Sequence, residues 1–277
     1  MRDRLLRDGF LLLSIAFVGF RLFSIEPWDD SVDAYAYWAT GQGDLYSGAV
    51  SGKIGAYLYS PAFAQAVWPL THVSWPVFAA LWTALNCAVL WWLVGRLALP
   101  SLLFLPIPFE IISGNVHLLI AAVIVAGFRY PALWVLPILT KVTPGVGLLW
   151  FLVRREWRKL AVALGVTTVA TAASFALAPD AWRQWIDLLL RDVGTPLVTL
   201  GWFLPVSVLI RLPIAAAIVA WGALTDRPWA VPIAVTLALP IVWLNGLAIL
   251  TAVVPLARWR LGVPSPAFRM TAPASAG

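Results

Sequence analysis

Charge is scarce in this chain. Of its 277 residues only 12% are Asp, Glu, Lys or Arg, about half the share usual in soluble domains. Apolar residues make up 61%, the mean hydropathy is +0.87, and they fall in bilayer-length runs rather than spaced amphipathic stripes, which excludes an ordinary soluble fold. Cysteine is nearly absent: Cys87, inside an apolar run, leaves neither a disulfide nor a cysteine metal site. The sequence also lacks convincing strands, a glycine-rich phosphate loop following one, a serine triad, a metal-ligand cluster, heptads and solenoid repeats. The net charge of +6 and pI near 9.9 would suit nucleic acid, but the Lys and Arg stand at the ends of apolar runs, where they set topology. No nucleic-acid partner is expected.

What is there predicts an all-α polytopic integral membrane protein, of about eight transmembrane helices plus interfacial or re-entrant ones. Candidate spans are 9–25, 75–95, 97–112, 115–128, 131–152, 160–178, 200–223 and 229–256. The piece 60–70 is too short to cross and suits a half-inserted helix. The start "MRDRLLRDGFLLLSIAFVGF" reads as an uncleaved first helix, N-terminus cytoplasmic, because no small-x-small cleavage site follows it. The positive-inside rule then puts the acidic 26–60 loop outside, in the plasma (inner) membrane of the cell. Single crossings throughout would deliver "RREWRK" (154–159) to the wrong side, so a break is expected in "LPILTKVTPGVG" (136–147), where Pro137, Thr140, Thr143, Pro144 and two glycines interrupt the helix. Residues 1–262 read as one transmembrane domain, 179–196 as an outer amphipathic segment and 263–277 as a disordered tail.

Acidic residues are rare enough that their gathering carries information. Glu26, Asp29, Asp30, Asp33 and Asp44 fall in a stretch with no Lys or Arg between Leu22 and Gly52. On a helix, Asp29, Asp33 and Tyr37 would share one face at i, i+4 and i+8, with Asp30 about a third of a turn away. Crowded and partly buried carboxylates acquire raised pKa values, as a general base for an alcohol requires; the competing reading is a hydrated loop in which Asp30 or Ser31 caps a helix. Tyr35, Tyr37, Tyr46, Tyr57 and Tyr59 surround the acids in a composition suited to sugar faces, although tyrosines also mark membrane interfaces.

Three polar residues interrupt apolar runs, where an ionisable group usually faces a cavity or a partner. They are Asn115, His117 and Lys141. Lys141 could neutralise a departing phosphate or snorkel to an interface; His117 could serve a ligand or helix packing. On the amphipathic 179–196 segment, Arg183 and Arg191 could hold an anionic lipid head group or simply anchor the helix. Asn245 reads as interhelical glue.

The order of "VDAYAYWATGQGDLYSG", "YLYSPAFAQAVWPL", "SGNVHLLIAAVIVAG", "LPILTKVTPGVG" and "LALPIVWLNGLAIL" resembles glycosyltransferase family 87, of GT-C fold. Onto its motifs fall Asp33 and Tyr37, then Gly43, Leu45 and Tyr46, then Tyr59 and Pro61, then Gly114, then Lys141 and Pro144, with Ser60, Asn115 and His117 standing where proline, glutamine and asparagine are usual. The resemblance implies an inverting hexosyltransferase that moves a sugar, mannose foremost, from a polyprenyl-phosphate donor to an extracytoplasmic glycolipid or glycan. It further implies Asp33 as base, to which the crowding of the acids adds Asp30 as a second catalytic candidate, with a donor-phosphate site of Lys141, His117 and Arg183 and substrate contacts from Tyr37, Tyr59 and Asn115. It calls for no cofactor or metal ligand, and leaves a divalent cation open. Two other classes compete: a lipid or solute transporter or flippase, whose charges would line a path through the bilayer, and a non-catalytic subunit of an envelope assembly.

Overall fold

The computed structural model describes residues 1–23, 32–41, 45–46, 48–49, 56–192, 204 and 206–260. Glu26, Asp29, Asp30 and Asp44, residues 193–196 and the 263–277 tail therefore lie outside the described residues. Among the described residues the chain is helical throughout, with no strand. In order come α1 (Arg2–Arg21), α2 (Val32–Trp38), α3 (Pro61–Val67), α4 (Trp75–Val94), α5 (Ala98–Ser101), α6 (Pro106–Ser113), α7 (His117–Gly127), α8 (Val135–Lys141), α9 (Leu149–Val153), α10 (Trp157–Leu177), α11 (Pro179–Asp192), α12 (Val208–Leu224), α13 (Ala230–Ala238) and α14 (Val253–Arg260).

Proline and glycine set these boundaries. Proline fixes the backbone dihedral a first helical turn needs, and it stands in the first two positions of α3, α4 and α6. Two helices are long and apolar enough to cross a bilayer: Trp75–Ser101, which runs through α4 and α5, and α10; α6 with α7 makes a third if that pair, bent by 109°, counts as one span. At 1.5 Å per residue, about 20 residues match a hydrocarbon core of about 30 Å. Arg96 therefore lies within a continuous helical segment, where it meets Asp3 of α1 at 3.2 Å.

Several expected spans are cut shorter. Residues 97–112 and 115–128 are not two independent crossings, since α4 and α5 consume the start of the first and α6 contributes only 8 residues before the bend. The 131–152 run breaks at Val142, whose φ of 56° is far from helical. The break expected within 136–147 is thus present, and the 3-10 turn Thr143–Leu148 follows it. The 229–256 run splits where α13 ends ahead of Pro240, and resumes as the 3-10 segment Leu244–Ala252. Helix α1 holds five charged residues in its first eight and fails as an apolar span, yet Leu11, Leu12, Leu13, Ile15 and Phe20 are exposed as lipid-facing residues would be. It packs on α4 through a stacked pair, Phe10 and Trp91, with centroids 5.9 Å apart.

Helix α10 touches the rest of the molecule along a narrow line, burying only Ala163 and Ser174. The expected amphipathic character of α11 is present. Trp182, Trp185 and Leu188 are buried, Trp182 donating to Ser174 Oγ at 2.9 Å and Trp185 to the Leu58 carbonyl at 3.2 Å.

One buried cation closes the α12–α13 pair. Arg211, 3% exposed, donates to the carbonyls of Val206, Leu239 and Pro240 at 2.7, 2.8 and 2.9 Å and also to that of Leu237. A helix C-terminus leaves its last carbonyls unpaired and carries partial negative charge, so the guanidinium satisfies the end of α13. Arg211→Met keeps much of the stem and leaves those carbonyls orphaned. Each buried orphan costs about 1–3 kcal/mol, so a clear fall in thermal midpoint is expected in detergent, partly restored by Arg211→Lys.

Candidate active site

The polar cluster forms where α6 and α7 meet. Gly114 ends α6 in the left-handed region, φ 68°, with its N–H on the Glu110 carbonyl at 2.8 Å. Glycine is required twice over: a side chain would be strained at that dihedral, and a Cβ would lie 2.6 Å from Ala34 Cβ of α2. Trp82 of α4 donates to the Gly114 carbonyl at 2.6 Å. Thus α2, α4 and the helix break are pinned at one point, and Asp33, beside Ala34, is carried to the gap between α6 and α7.

The aromatic residues then build inward. Tyr37, one turn after Asp33, is fully buried; its ring meets those of Tyr59, Phe63 and Trp82 at 5.1, 5.2 and 5.3 Å. Tyr59 is the junction of the network. Its hydroxyl accepts from Tyr37 Oη at 2.8 Å, donates to Asn115 Oδ1 at 3.3 Å and accepts from Lys141 Nζ at 3.4 Å. The Lys141 ammonium also lies 4.9 Å from the Tyr59 ring centre, over its face. Asn115 Oδ1 accepts a second bond, from the Val116 N–H at 2.7 Å, so Nδ2 is the amide atom left to act on the Asp33 carboxyl.

The segment carrying Tyr59 is fastened on both sides. Tyr46 donates to the Tyr59 carbonyl at 2.7 Å and Tyr57 to the Ser60 carbonyl at 2.8 Å. Ser60 Oγ donates to the Leu139 carbonyl of α8 at 2.5 Å, a bond that a proline there could not make. It ties the Tyr59 segment to the helix that ends in Lys141.

Burial is the largest influence on Asp33 and, with the Glu110 charge adding to it, raises the carboxyl above its ordinary value; the Asn115 bond, Lys141 and His117 act in the other direction without cancelling it. Burial likewise lifts the Tyr37 and Tyr59 phenols well above the usual tyrosine value, so both stay protonated. A raised carboxyl near a cation and neutral hydroxyl donors is an arrangement suited to taking a proton from an alcohol while a phosphate is stabilised nearby.

Of the residues expected to form the site, Asp33, Tyr37, Tyr59, Asn115, His117 and Lys141 are brought together. Asp30 lies outside the described residues. Arg183 is not brought in: it is exposed on α11 and pairs with Asp180 at 2.7 Å. Glu110, which sequence reading passed over, is fully buried in the cluster and meets His117 Nδ1 at 2.9 Å. The signal was a lone acid in an apolar run, the same signal that singled out Lys141. Asn245, read as interhelical glue, donates to Ser113 Oγ of α6 at 3.1 Å.

Apolar helices of spanning length around a buried polar cluster at a broken helix define an integral membrane protein with a site at that break. The chain belongs to glycosyltransferase family 87, whose model matches residues 57–272. It is 28% identical over 223 residues to the polyprenol-phosphate-mannose-dependent alpha-(1-2)-phosphatidylinositol mannoside mannosyltransferase of Mycobacterium tuberculosis, covering 64% of this chain and 52% of that protein. The protein of the same description from Mycolicibacterium smegmatis is 26% identical over 221 residues, covering 64% and 50%. The chain spans about half the length of these curated relatives. No solved structure matches it. The family match begins at Tyr57, so Asp33 and Tyr37 precede it and are tied to the matched residues by contact.

Gly114→Ala should push α2 off the helix break. Amide hydrogen exchange is expected to quicken in Val32–Trp38 while α12 and α13 keep wild-type protection; unchanged exchange in α2 would contradict the role assigned to Gly114.

Proposed function

We propose that this protein is a membrane glycosyltransferase that moves mannose from a polyprenyl-phosphate donor to an extracytoplasmic glycolipid or glycan, with inversion at the anomeric carbon. The observation that carries the reading is the contact of Asp33, Asn115, Tyr59 and Lys141 around one helix break, in a family 87 chain whose relatives are described as using polyprenol-phosphate-mannose and phosphatidylinositol mannoside. In this proposal the short apolar helices pair end to end to complete further crossings in a GT-C arrangement. The N-terminus is cytoplasmic and the cluster faces the opposite side of the inner membrane.

Asp33 takes the proton of the acceptor hydroxyl as its oxygen attacks the anomeric carbon. The bond from that carbon to the phosphate oxygen breaks, and polyprenyl phosphate leaves with the electron pair. Lys141 meets the charge that grows on the phosphate, a role in which a desolvated cation counts for more than it would in water. Its strained neighbour Val142 fixes where α8 stops and therefore where the ammonium sits. Tyr37 and Tyr59 offer hydroxyls and ring faces to the sugars, and Asn115 keeps a donor on Asp33 until substrate arrives. Asp30, three residues before the base in the chain, is the second candidate acid. The activation resides in the lipid-linked donor, so the proposed reaction draws on no cofactor.

Transfer of labelled mannose from polyprenyl-phosphate mannose to membrane glycolipid tests this. Wild type is expected to transfer, and Asp33→Asn to lose about 10²–10⁴-fold in rate, the contribution of a positioned base. Equal rates for Asp33→Asn at matched abundance would overturn Asp33 as base. Asp30→Asn decides in the same assay whether the second acid assists.

The pH profile adds an independent check. A base works only when deprotonated, so activity falls as pH drops through the Asp33 pKa, and its acid limb should lie above the ordinary Asp value of about 3.9. Lys141 lowers that pKa; Lys141→Gln should therefore move the limb to higher pH as well as slow transfer by roughly 10²-fold.

A further inference from the structure

Glu110 has no part in the steps above, yet it is among the most enclosed charged residues in the molecule. Its side chain is 0% exposed and that of His117 2%. Oε1 accepts from the backbone N–H of His117 at 2.6 Å and of Leu118 at 3.4 Å. These are the first two residues of α7, whose N–H groups have no acceptor within their own helix. Oε2 lies 2.9 Å from His117 Nδ1, and Asn245 of the 3-10 segment donates to the nearby Ser113 Oγ.

Two backbone donors and the positive end of α7 are aimed at this carboxylate and offset part of the cost of burying its charge. A carboxylate anion only accepts hydrogen bonds. With Glu110 as that anion Nδ1 donates, and in the neutral ring the lone pair falls on Nε2. Among the described residues no donor meets Nε2. Beside it stands Gly246, where an added Cβ would come within 3.8 Å of that nitrogen. Asp33 and Lys141 are close enough to act on the ring electrostatically.

We infer that Glu110 is a positioning residue that fixes His117 with its proton on Nδ1, so that Nε2 presents a hydrogen-bond acceptor to a hydroxyl of the sugar acceptor. The identity of that hydroxyl rests on the transferase reading; the tautomer does not. A phosphate oxygen brings only lone pairs and negative charge, which an Nε2 lone pair repels, whereas a sugar hydroxyl brings the proton that Nε2 lacks. The inference divides the cluster by chemistry: Lys141 serves the lipid phosphate, and His117 with Asp33 serves the hydroxyl-bearing partner. It reassigns His117 from the phosphate side, where family resemblance had put it.

The chain has only two histidines, which makes the ring directly observable. Full-length protein labelled with 15N-histidine, in lipid nanodiscs, gives two imidazole spin systems, and His72→Gln identifies that of His117. Wild type should show Nδ1 protonated and Nε2 bare. Glu110→Gln can still cap α7 through its amide oxygen, but its NH₂ now donates to Nδ1, so the proton should move to Nε2. Adding a mannosylated phosphatidylinositol should shift the wild-type Nε2 resonance, polyprenyl phosphate should leave it in place, and Glu110→Gln should bind the glycolipid about tenfold more weakly, the worth of one hydrogen bond. A wild-type ring protonated on Nε2 would overturn the positioning role even if the variant failed to fold. A shift with polyprenyl phosphate in place of glycolipid, or with neither, would overturn the hydroxyl assignment. Because these signals report binding at the ring and not turnover, an intact glycolipid response without sugar transfer would fault the proposed reaction and leave this assignment standing.

Discussion

The arrangement of this molecule depends on one broken helix. A continuous helix across residues 106–127 would satisfy its own backbone and leave nothing in the bilayer to bind polar side chains. Breaking it at Gly114 frees the first N–H groups of α7 and the last carbonyls of α6, and free backbone groups are tolerated at membrane depth only where something polar answers them. Glu110 answers the N–H groups, Trp82 answers the Gly114 carbonyl, and the missing Cβ lets α2 lie against the break. The polar cluster is thus a consequence of the break as much as its occupant. Glu110 is held there by the N–H groups that the interrupted helix left open.

Arg211 shows the same logic with the opposite sign. At the end of α13 the unanswered groups are carbonyls, and the residue supplied is a cation. The two ends differ in what they can do next. Arg211 spends its donors on four carbonyls, which makes it a structural closure. Glu110 holds the His117 ring by one nitrogen only, leaving the other ring nitrogen beside Gly246.

Much of this was legible in the sequence, and what was not has physical reasons. The spacing of Asp33 and Tyr37 set them on one helix face, as found in α2. The Thr, Pro and Gly residues around Lys141 marked the interruption that the structure has at Val142. The number of crossings was less readable, because hydropathy measures apolar length and is blind to a Pro240 or a Gly114 that divides an apolar run into arms too short to span. Glu110 escaped because its partner, His117, is seven residues away across a bend, a separation that on a straight helix puts two side chains on one face but about 10 Å apart, too far to meet. Arg183 invited a ligand role through its place on an amphipathic segment, but which face of α11 meets the bundle is decided by Trp182 and Trp185, and that face is not the one with Arg183.

The hydrogen-bond chain through Tyr59 has a direction. The Val116 N–H can only donate, and it fixes Oδ1 of Asn115 as an acceptor; Tyr59 must then point its single hydroxyl proton at Asn115, and Tyr37 must point its own at Tyr59. Reversing any link would leave two lone pairs or two protons facing each other. The row therefore works as a one-way street that ends at Asn115, whose amide has only its NH₂ left to turn toward Asp33. A peptide N–H, the least reactive group in the neighbourhood, in this way keeps an aspartate free to receive.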